Sequence, residues 1–532
     1  MPSRLRDGSP TSAALAEKVQ AILNNEELTL YRVSQQSAQL YGRSSPYFLP
    51  HNLYYDLRAG SFRPSIHQIW ALSRISGYRV ADWLRVFGYN LEDITRLQVL
   101  LPSKRTIVLD TSFTDPNEWV PWLDNRPVGV SMASIVPLAK LLREAPARQI
   151  GLLQDPSARR FLYAKIGRED AFAFPDLAPG SIVRVNPDTV DSPALRENFS
   201  ISDRIFLVEH SKGFCCCRIR VLGNGVIVPV DDGLRYAQVE LHCPQEARLR
   251  GVVDLEFRPL LRSEEPEVPR DLARHWKPQP LAVEEGFGQV LGGARARMNL
   301  SLREAAATSR AITEILKHDR YTISPSSFCD YELRNTPPRD FHKIITLCSL
   351  YGLQFQSLLK RLGIAVEEAG TQSIPDRYLS RPTHIAVGES AADEESVHTG
   401  FLGQLLQQFQ EIPFFLRDSL GWFSPSGHVS LDDFFWIGGE GNPLHPYLEN
   451  GLLVLVNRRR KTPFHFASKP VWQQPVHIIL KRDGTYLAAC CGAEDGTLVV
   501  HPYTQNFHRT TRFRHHLDAE VVGQIVAIVR RV

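Results

Sequence analysis

Two stretches of the chain share one pattern of glycine, proline and aliphatic residues: IGREDAFAFPDLAPGSIVRVN at residues 166–186 and IGGEGNPLHPYLENGLLVLVN at residues 437–457. The second stretch follows the first by 271 positions, and their glycines, prolines, valines and final asparagines fall in the same register. Further along, Gly213 and Gly484 keep the same spacing. The sequence therefore predicts that the chain is a tandem duplication of one module.

A helical pattern precedes each of these stretches, at residues 66–88 and 341–363. In both patterns apolar residues recur at steps of three, which is typical of the buried face of a short packed helix. These residues are Ile66, Ile69, Leu72 and Ile75 in the first pattern and Phe341, Ile344, Leu347 and Leu350 in the second. Gly77 and Gly352 stand where such a helix would end. The duplication is therefore expected to include a helical segment in each copy.

Three hydroxyl side chains are expected to begin helices upstream of these patterns. Thr29 and Ser301 each precede a helical run, and Glu304 lies at the position that completes a capping box with Ser301. Ser324 is followed by proline, as is typical of an N-cap and first helical position. Each copy should therefore begin with a group of short helices.

The composition predicts a globular protein that remains in the cytoplasm. The chain has 532 residues, of which 43% are hydrophobic, enough for several domains with their own cores. No apolar run reaches the roughly 18 residues that indicate a membrane span, and the first residues lack the apolar core of a signal peptide. The net charge of +3 is too small to indicate nucleic-acid binding by itself, so any basic surface would be local.

The cysteines indicate buried reduced thiols. Residues 215–217 and 490–491 are adjacent cysteines inside apolar, strand-like runs, and no CxxC spacing occurs. We therefore expect no disulfide framework, no metal site and no cofactor.

Two motifs at the ends of predicted helices carry a resemblance to a known family. They are YDLRAG at residues 55–60, followed by Pro64 and Ser65, and YELRN at residues 331–335, followed by Pro338. With the helices around them, both segments resemble the helix-turn-helix domain of the Cro/phage-repressor (XRE) family, in which an acidic residue and a following Arg or Gly close the recognition helix. The resemblance implies a domain whose third helix enters the major groove of DNA. In both copies the connection between the second and third helices is longer than the family's.

The resemblance implies DNA contacts from polar side chains on the third helix and on the segment before it. Asn and Gln can pair with adenine and Arg with guanine, whereas hydroxyl groups and Lys mostly hold phosphates. The candidates in the first copy are Gln35, Gln36, Arg43, Ser45, Tyr47, His51, Asn52, Tyr54, Tyr55 and Arg58, and those in the second are Arg310, Lys317, Arg320, Ser326, Ser327, Tyr331 and Arg334. Asp330 and Glu332 make the second recognition face the more acidic one.

Each β-rich stretch resembles the carboxy-terminal domain of LexA-type repressors and their signal-peptidase-like relatives. The resemblance covers residues 166–260 and 437–532 and depends on the Pro-x-Leu-x-x-Gly spacing that begins at Pro175 and Pro446, together with two later strands. Its remaining apolar runs, among them residues 251–257 and 523–529, are expected to supply core strands and an edge for pairing.

The residues that give LexA-type domains their peptidase activity are absent from both copies. In that family a serine is activated by a neutral lysine. The serine positions align with Phe172 and Pro443, and the lysine positions align with Cys217 and Ala488. The resemblance therefore implies domains that do not cleave themselves and whose remaining family role is dimerisation.

These observations predict an α+β protein in which two all-α helix-turn-helix domains alternate with two mostly-β LexA-like domains. The expected helix-turn-helix domains span residues 13–100 and 283–367, and the expected β domains span residues 101–261 and 397–532. Pro-rich or polar linkers are expected at residues 262–282 and 368–396.

The sequence thus predicts a transcriptional regulator, not an enzyme, that binds double-stranded DNA and has no membrane partner. Its β domains would pair as a pseudo-dimer within one chain, or between two chains as a homodimer, and would serve for dimerisation or sensing. One alternative is a protein-interaction module that uses divergent helix-turn-helix domains as docking surfaces, which the long helix connections favour. A LexA-type hydrolase is a further alternative, and the four substitutions in the dyad oppose it.

Overall fold

The structure is a computed structural model of mixed α and β class, which confirms the broad class predicted from the sequence. It describes residues 12–60, 64–113, 134–137, 140, 161–187, 204–223, 225–230, 239–260, 267, 278–281, 286–334, 336–338, 340–375, 378, 431–444, 447–463, 474–501 and 510–532. Most of the two expected linkers, residues 262–282 and 368–396, lie outside these described residues.

The chain forms two compact units, one that contains the α-helices and one that contains the β-strands. One unit contains the α-helices, both those before residue 101 and those after residue 283. The other contains the β-strands of both halves of the chain.

The described part of the helical unit contains eleven α-helices. They are α1 (Ser12–Asn25), α2 (Leu30–Tyr41), α3 (Leu53–Arg58), α4 (Ile66–Ser76), α5 (Val80–Val86), α6 (Glu92–Leu100), α7 (Phe287–Arg297), α8 (Leu302–Leu316), α9 (Pro325–Leu333), α10 (Phe341–Tyr351) and α11 (Phe355–Arg361). Five helices of each half, α1–α5 and α7–α11, follow one another in the same order with comparable spacing. Helix α6 has no counterpart among the described residues that follow α11.

The predicted helix ends are confirmed. Thr29 accepts a hydrogen bond from the backbone N–H of Arg32, and Ser301 and Glu304 form a reciprocal capping box. Ser324 caps α9, whose first residue is proline. Gly77 and Gly352 end α4 and α10 in the left-handed conformation that glycine adopts without a steric penalty.

The predicted apolar stripes of α4 and α10 form the core of the helical unit. Seven of the eight predicted positions are buried: Ile66, Ile69, Leu72, Phe341, Ile344, Leu347 and Leu350. Ile75 is the exception and is only half-buried. It lies in the last turn of α4, two residues before Gly77.

The described part of the other unit contains sixteen strands. They are β1 (Ile107–Val108), β2 (Val136–Pro137), β3 (Leu162–Lys165), β4 (Ile182–Asn186), β5 (Phe206–His210), β6 (Gly213–Gly223), β7 (Val226–Val230), β8 (Leu241–His242), β9 (Ala247–Pro259), β10 (Phe434–Ile437), β11 (Leu452–Asn457), β12 (Val476–Lys481), β13 (Tyr486–Glu494), β14 (Thr497–His501), β15 (Thr511–Arg514) and β16 (Ala519–Arg531).

All the pairs between the described strands are antiparallel, and they follow one pattern in both halves. In the first half the order of neighbours is β3-β4-β9-β5-β6-β7-β8. In the second half it is β10-β11-β16-β12-β13-β14-β15. The apolar runs that the sequence marked as core strands are buried in four clusters, two in the first half, around Leu207 and Phe206, and two in the second, around Ile478 and Ile479.

Two glycines allow a close approach of strands at matching places in the two halves. A Cβ atom on Gly251 in β9 would lie 2.5 Å from the carbonyl oxygen of Asn186, and one on Gly523 in β16 would lie 2.6 Å from that of Asn457. No other residue fits at such a separation, because real Cβ contacts do not fall below about 3 Å in close-packed interiors. The late glycine of each closing strand is therefore required by the crossing of that strand with the end of its neighbour.

The two closing strands pair with each other and join the halves of the sheet. Phe257 lies opposite Val529, and on either side of this pair Glu256 faces Arg530 and Arg258 faces Ile528. Glu256 is fully buried and accepts hydrogen bonds from the guanidinium groups of Arg258 and Arg530 at 3.0 and 2.6 Å. The junction therefore has a buried charged centre between apolar residues of both strands.

Candidate nucleic-acid interface

The third helix of each half is positioned by a buried serine on the second helix. In the first half, Ser37 of α2 accepts the backbone N–H of Leu49 at 3.1 Å. In the second half, Ser309 of α8 accepts the backbone N–H of Ile323 at 3.0 Å. Both serines are completely buried, and each donates its hydroxyl proton to a carbonyl one turn earlier in its helix. The long connections, residues 42–52 and 317–324, are therefore fastened to the helices they join.

Most of the first-copy candidates are exposed. Gln35 and Gln36 are exposed in the middle of α2, Arg43 is exposed after its end, and His51 and Asn52 are exposed before α3. On α3 itself Tyr55 is 73% exposed, Arg58 is exposed and Tyr54 is half-buried. Tyr54 and Tyr55 contact each other edge to face, with ring centroids 5.8 Å apart. This surface offers amide, imidazole, guanidinium and phenol groups to a ligand.

Tyr47 and Ser45 have other contacts in the fold. The Tyr47 ring lies 5.1 Å from the ring of Tyr41 and 5.2 Å from that of Trp70, and its hydroxyl donates to the carbonyl of Gly363. The Ser45 hydroxyl accepts the backbone N–H of Tyr47 at 3.3 Å. Both side chains thus contribute to packing at the edge of the expected contact surface.

The second-copy candidates form a hydroxyl-rich helix start with basic side chains around it. Ser326 and Ser327 lie in the first turn of α9, with each hydroxyl 2.9 Å from that of the cap Ser324. The other candidates are Arg310, Lys317 and Arg334, which are exposed, and Arg320 and Tyr331, which are half-buried. Burial raises the pKa of Tyr331 above its ordinary value, so its phenol stays protonated and able to donate.

The acidic residues of α9 are neutralised by arginines. Glu332 has a side chain only 6% exposed, and both of its oxygens accept from the Arg295 guanidinium of α7, at 2.9 and 3.0 Å. Asp330 lies 3.3 Å from the guanidinium of Arg334, one turn further along α9. The acidity that the sequence assigns to this face is therefore compensated by pairing, and Glu332 serves to join α9 to α7.

One residue of this surface was missed by the sequence reasoning. Arg303 is exposed in the first turn of α8, seven residues before Arg310 on the same helix. Residues at this spacing share one face of a helix, so the periodicity of α8 was the signal that could have identified it.

The positions of the absent dyad lie close together in both halves and are filled by apolar groups. Phe172 and Cys217 belong to one buried cluster of the first half. In the second half the backbone N–H of Ala488 donates to the carbonyl of Gly441, two residues before Pro443. Neither site presents a hydroxyl beside an amine, so the nucleophile and base of a LexA-type peptidase are absent from these positions.

All eight cysteines of the chain are free thiols, as expected from the sequence. Burial raises the pKa of Cys490 and of Cys491 to about 12. Cys491 lies 3.6 Å from Nδ1 of His477, whose pKa is lowered to about 4 by burial. At neutral pH both groups are therefore uncharged, and this pair lacks the thiolate that a cysteine nucleophile needs.

Within the described ranges, no group of three or more His, Cys, Asp or Glu side chains is arranged to hold a metal ion. Among the helices described, none is long and apolar enough to cross a membrane.

The comparisons with known proteins place the chain in no family. No protein-family model matches it, and no curated protein is similar to it. A solved structure, Streptomyces albus HEPD with its substrate 2-hydroxyethylphosphonate and Fe(II) bound, aligns over 99% of this chain and 93% of its own length, with 12% identity and a TM-score of 0.14. A TM-score this low supports no conclusion about fold or function.

Proposed function

We propose that this protein is a sequence-specific DNA-binding transcriptional regulator whose β domains do not cleave themselves. The observation that carries the proposal is the serine clamp that recurs in both halves. Ser37 and Ser309 hold the segment that leads into a third helix, and the polar side chains of that segment and helix remain exposed. A fixed helix with exposed Asn, Arg, Ser and Tyr side chains is the arrangement that reads base edges in the major groove.

Two further observations support DNA binding by the second half. Pairing of Glu332 with Arg295 removes a carboxylate from the exposed face of α9, so repulsion from phosphates is reduced. The basic side chains of Arg303, Arg310 and Lys317 are exposed along and after α8, where they can neutralise phosphates on either side of an inserted helix.

We also propose that the chain is a tandem duplication whose copies pair within one molecule. The equivalent order of helices, the equivalent order of strands and the matching glycines Gly251 and Gly523 support a repeat. The pairing of β9 with β16 supports an intramolecular pseudo-dimer of the β domains. In this proposal the strand unit provides the dimerisation that LexA-like domains contribute elsewhere, without peptidase chemistry.

The test is an electrophoretic mobility shift with the intact chain and duplex DNA from its own promoter region, at low and moderate salt. We expect a sequence-preferring shift that weakens steeply with salt, because phosphate contacts release counterions. Asn52→Ala and Arg334→Ala should each weaken it by about 5- to 150-fold, the loss of one base contact. Arg512→Ala is the matched control, since Arg512 is an exposed arginine of β15 in the strand unit. Binding no stronger than to random duplex would overturn the proposal.

A protein-interaction module is the second candidate function, and exposed apolar side chains favour it. Leu333 at the end of α9 is 80% exposed, and Tyr31 and Leu40 on α2 are 70% and 55% exposed. Tyrosine is a typical anchor of protein interfaces, and exposed apolar side chains that lie together mark interaction surfaces. If this second function is correct, the chain does not shift DNA and Leu333→Ser abolishes co-purification of a protein partner. If the regulator proposal is correct, Leu333→Ser leaves DNA binding intact.

A further inference from the structure

The helical unit carries two different third helices, and each half of this unit is held by the chain that follows the other half. We infer that one chain reads a bipartite duplex site whose two halves differ in sequence and lie at a fixed spacing. This inference rests on the proposed DNA-binding function and specifies the class of duplex that is bound.

The segment after α5 of the first half packs on the second half. The side-chain amide of Gln98 in α6 donates to the carbonyl of Cys348 in α10 at 3.2 Å. The carboxylate of Asp110 accepts the backbone N–H of Phe355, the first residue of α11, at 2.7 Å. The ring of Tyr89 lies 5.0 Å from that of Phe341. Residues 89–101 and 110–113 thus bind α10 and α11 through both polar and aromatic contacts.

The segment after α11 of the second half packs on the first half in return. The indole N–H of Trp70 in α4 donates to the carbonyl of Ala365 at 2.9 Å. The hydroxyl of Ser73 accepts the backbone N–H of Gly370 at 3.0 Å. The carboxylate of Asp82 in α5 accepts the backbone N–H of Ile374, also at 3.0 Å. Residues 363–374 thus bind α4 and α5, the counterparts of α10 and α11.

This reciprocal exchange fixes the two halves against each other. Asp82 and Asp110 are 1% and 0% exposed, and each accepts a backbone N–H from the other half. Separating the halves would break the backbone hydrogen bond that each carboxylate accepts from the other half, while Arg79 would still pair with Asp82 and Ser112 with Asp110. Because α4, α5, α10 and α11 are all tied across the halves in this way, we expect the halves that carry α3 and α9 to keep a fixed spacing when the unit meets DNA.

The two third helices also present different chemistry to a duplex. The first half offers Asn52, Tyr55 and Arg58, whereas the second offers Ser326 and Arg334. An exposed Asn favours adenine, and a helix that offers hydroxyls and Arg favours a different base pattern. Identical subunits read inverted repeats. A single chain that supplies two different third helices should bind two half-sites of different sequence.

The experiment uses the full chain and a pool of duplexes with randomised sequence. After selection we expect a bipartite motif without inverted symmetry, and sedimentation velocity should show one chain per selected duplex. Inserting 5 base pairs between the halves rotates one by about half a turn of B-DNA and should lower the affinity by at least about 100-fold, since one half-site is then lost. Insertion of the same length outside the motif is the control and should have no effect.

A second variant separates the contribution of the exchanged segments. Trp70→Phe removes the hydrogen bond to Ala365 and keeps an aromatic ring at position 70, and Gln98→Ala removes the bond to Cys348 together with the one that Gln98 accepts from the backbone N–H of Asp110. We expect circular dichroism to show a folded chain in which the 5-base-pair insertion costs less than in the unmodified chain, because fewer contacts then hold the halves against each other.

The outcomes distinguish this inference from the function on which it rests. An inverted-repeat motif occupied by two chains, or an insertion penalty below about 10-fold in the unmodified chain, would overturn the inference and leave DNA binding in place. A pool that yields no preferred sequence, together with no salt-dependent shift, would overturn both.

Discussion

Glu256→Gln is expected to destabilise the junction between the two halves of the sheet. The Glu256 side chain is completely buried, and its oxygens accept four hydrogen bonds, two from Arg258, one from Arg530 and one from the backbone N–H of Ala178. Removing the charge leaves two guanidinium groups without their buried counter-ion. Breaking a buried ion pair in this way costs about 3–5 kcal/mol, so we expect a loss of about that size in the free energy of unfolding.

Urea unfolding measures the loss in the free energy of unfolding. Hydrogen exchange of the backbone amides in β9 and β16, measured on the native protein, reports on the junction itself. The control is Glu520→Gln, because Glu520 lies 3.5 Å from Lys461 with both side chains more than half exposed. An exposed pair of this kind contributes about 0–1 kcal/mol. If Glu256→Gln behaves like the control, with less than about 1 kcal/mol lost and no faster exchange in β9 and β16, then the buried triad does not hold the halves together.

The same carboxylate should make the junction sensitive to acid. Burial by itself would raise the pKa of Glu256, but the charges of Arg258 and Arg530 outweigh burial and lower the pKa below its ordinary value of 4.5. A carboxyl group with a lowered folded-state pKa stabilises fully above its unfolded pKa, and this contribution disappears as the pH falls through the folded value. The stability advantage of the unmodified chain over Glu256→Gln should therefore be constant above about pH 4.5 and shrink below it.

Three further predictions follow from buried contacts. Ser309→Ala should leave the backbone N–H of Ile323 without its acceptor, which should lower the free energy of unfolding by about 1–3 kcal/mol. Hydrogen exchange in the segment before α9 should become faster, and unchanged exchange there would contradict the role of Ser309 in holding this segment. Glu332→Gln should weaken the attachment of α9 to α7 by about 3 kcal/mol by leaving Arg295 with a neutral partner, and equal thermal stability of variant and parent would refute this. Cys491 should resist alkylation near pH 8 in the folded chain, because its pKa is about 12, and react only after denaturation; rapid labelling of native protein would show that the thiol is accessible.

The helix ends and core strands could be predicted because they depend on nearby residues. A capping box needs only Ser301 and Glu304, and a left-handed helix end needs only a glycine such as Gly77. The alternating and three-step apolar patterns likewise act over a few residues, so they predicted which runs would be buried. The same apolar spacing did not distinguish Ile75, which is half-buried, from its counterpart Leu350, which is buried.

The sequence predicted which residues belong to the candidate site, but not which residues they contact. Sequence spacing placed Asn52, Arg58 and Arg334 on or beside third helices, and these side chains are exposed. It could not show that Glu332 pairs with Arg295, since these residues are 37 positions apart and meet only when α9 packs on α7. Nor could it show that Tyr47 lies against Trp70, because that contact depends on how the connection after α2 folds back.

The sequence by itself determined the local elements, because capping, periodicity and glycine requirements act over short distances. Only the tertiary structure decided which elements join. It grouped the helices of both halves in one unit and the strands of both in another, packed residues 89–101 and 110–113 of the first half on the second and residues 363–374 of the second on the first, and set β9 beside β16. These contacts join residues hundreds of positions apart, so no local pattern in the sequence indicates them.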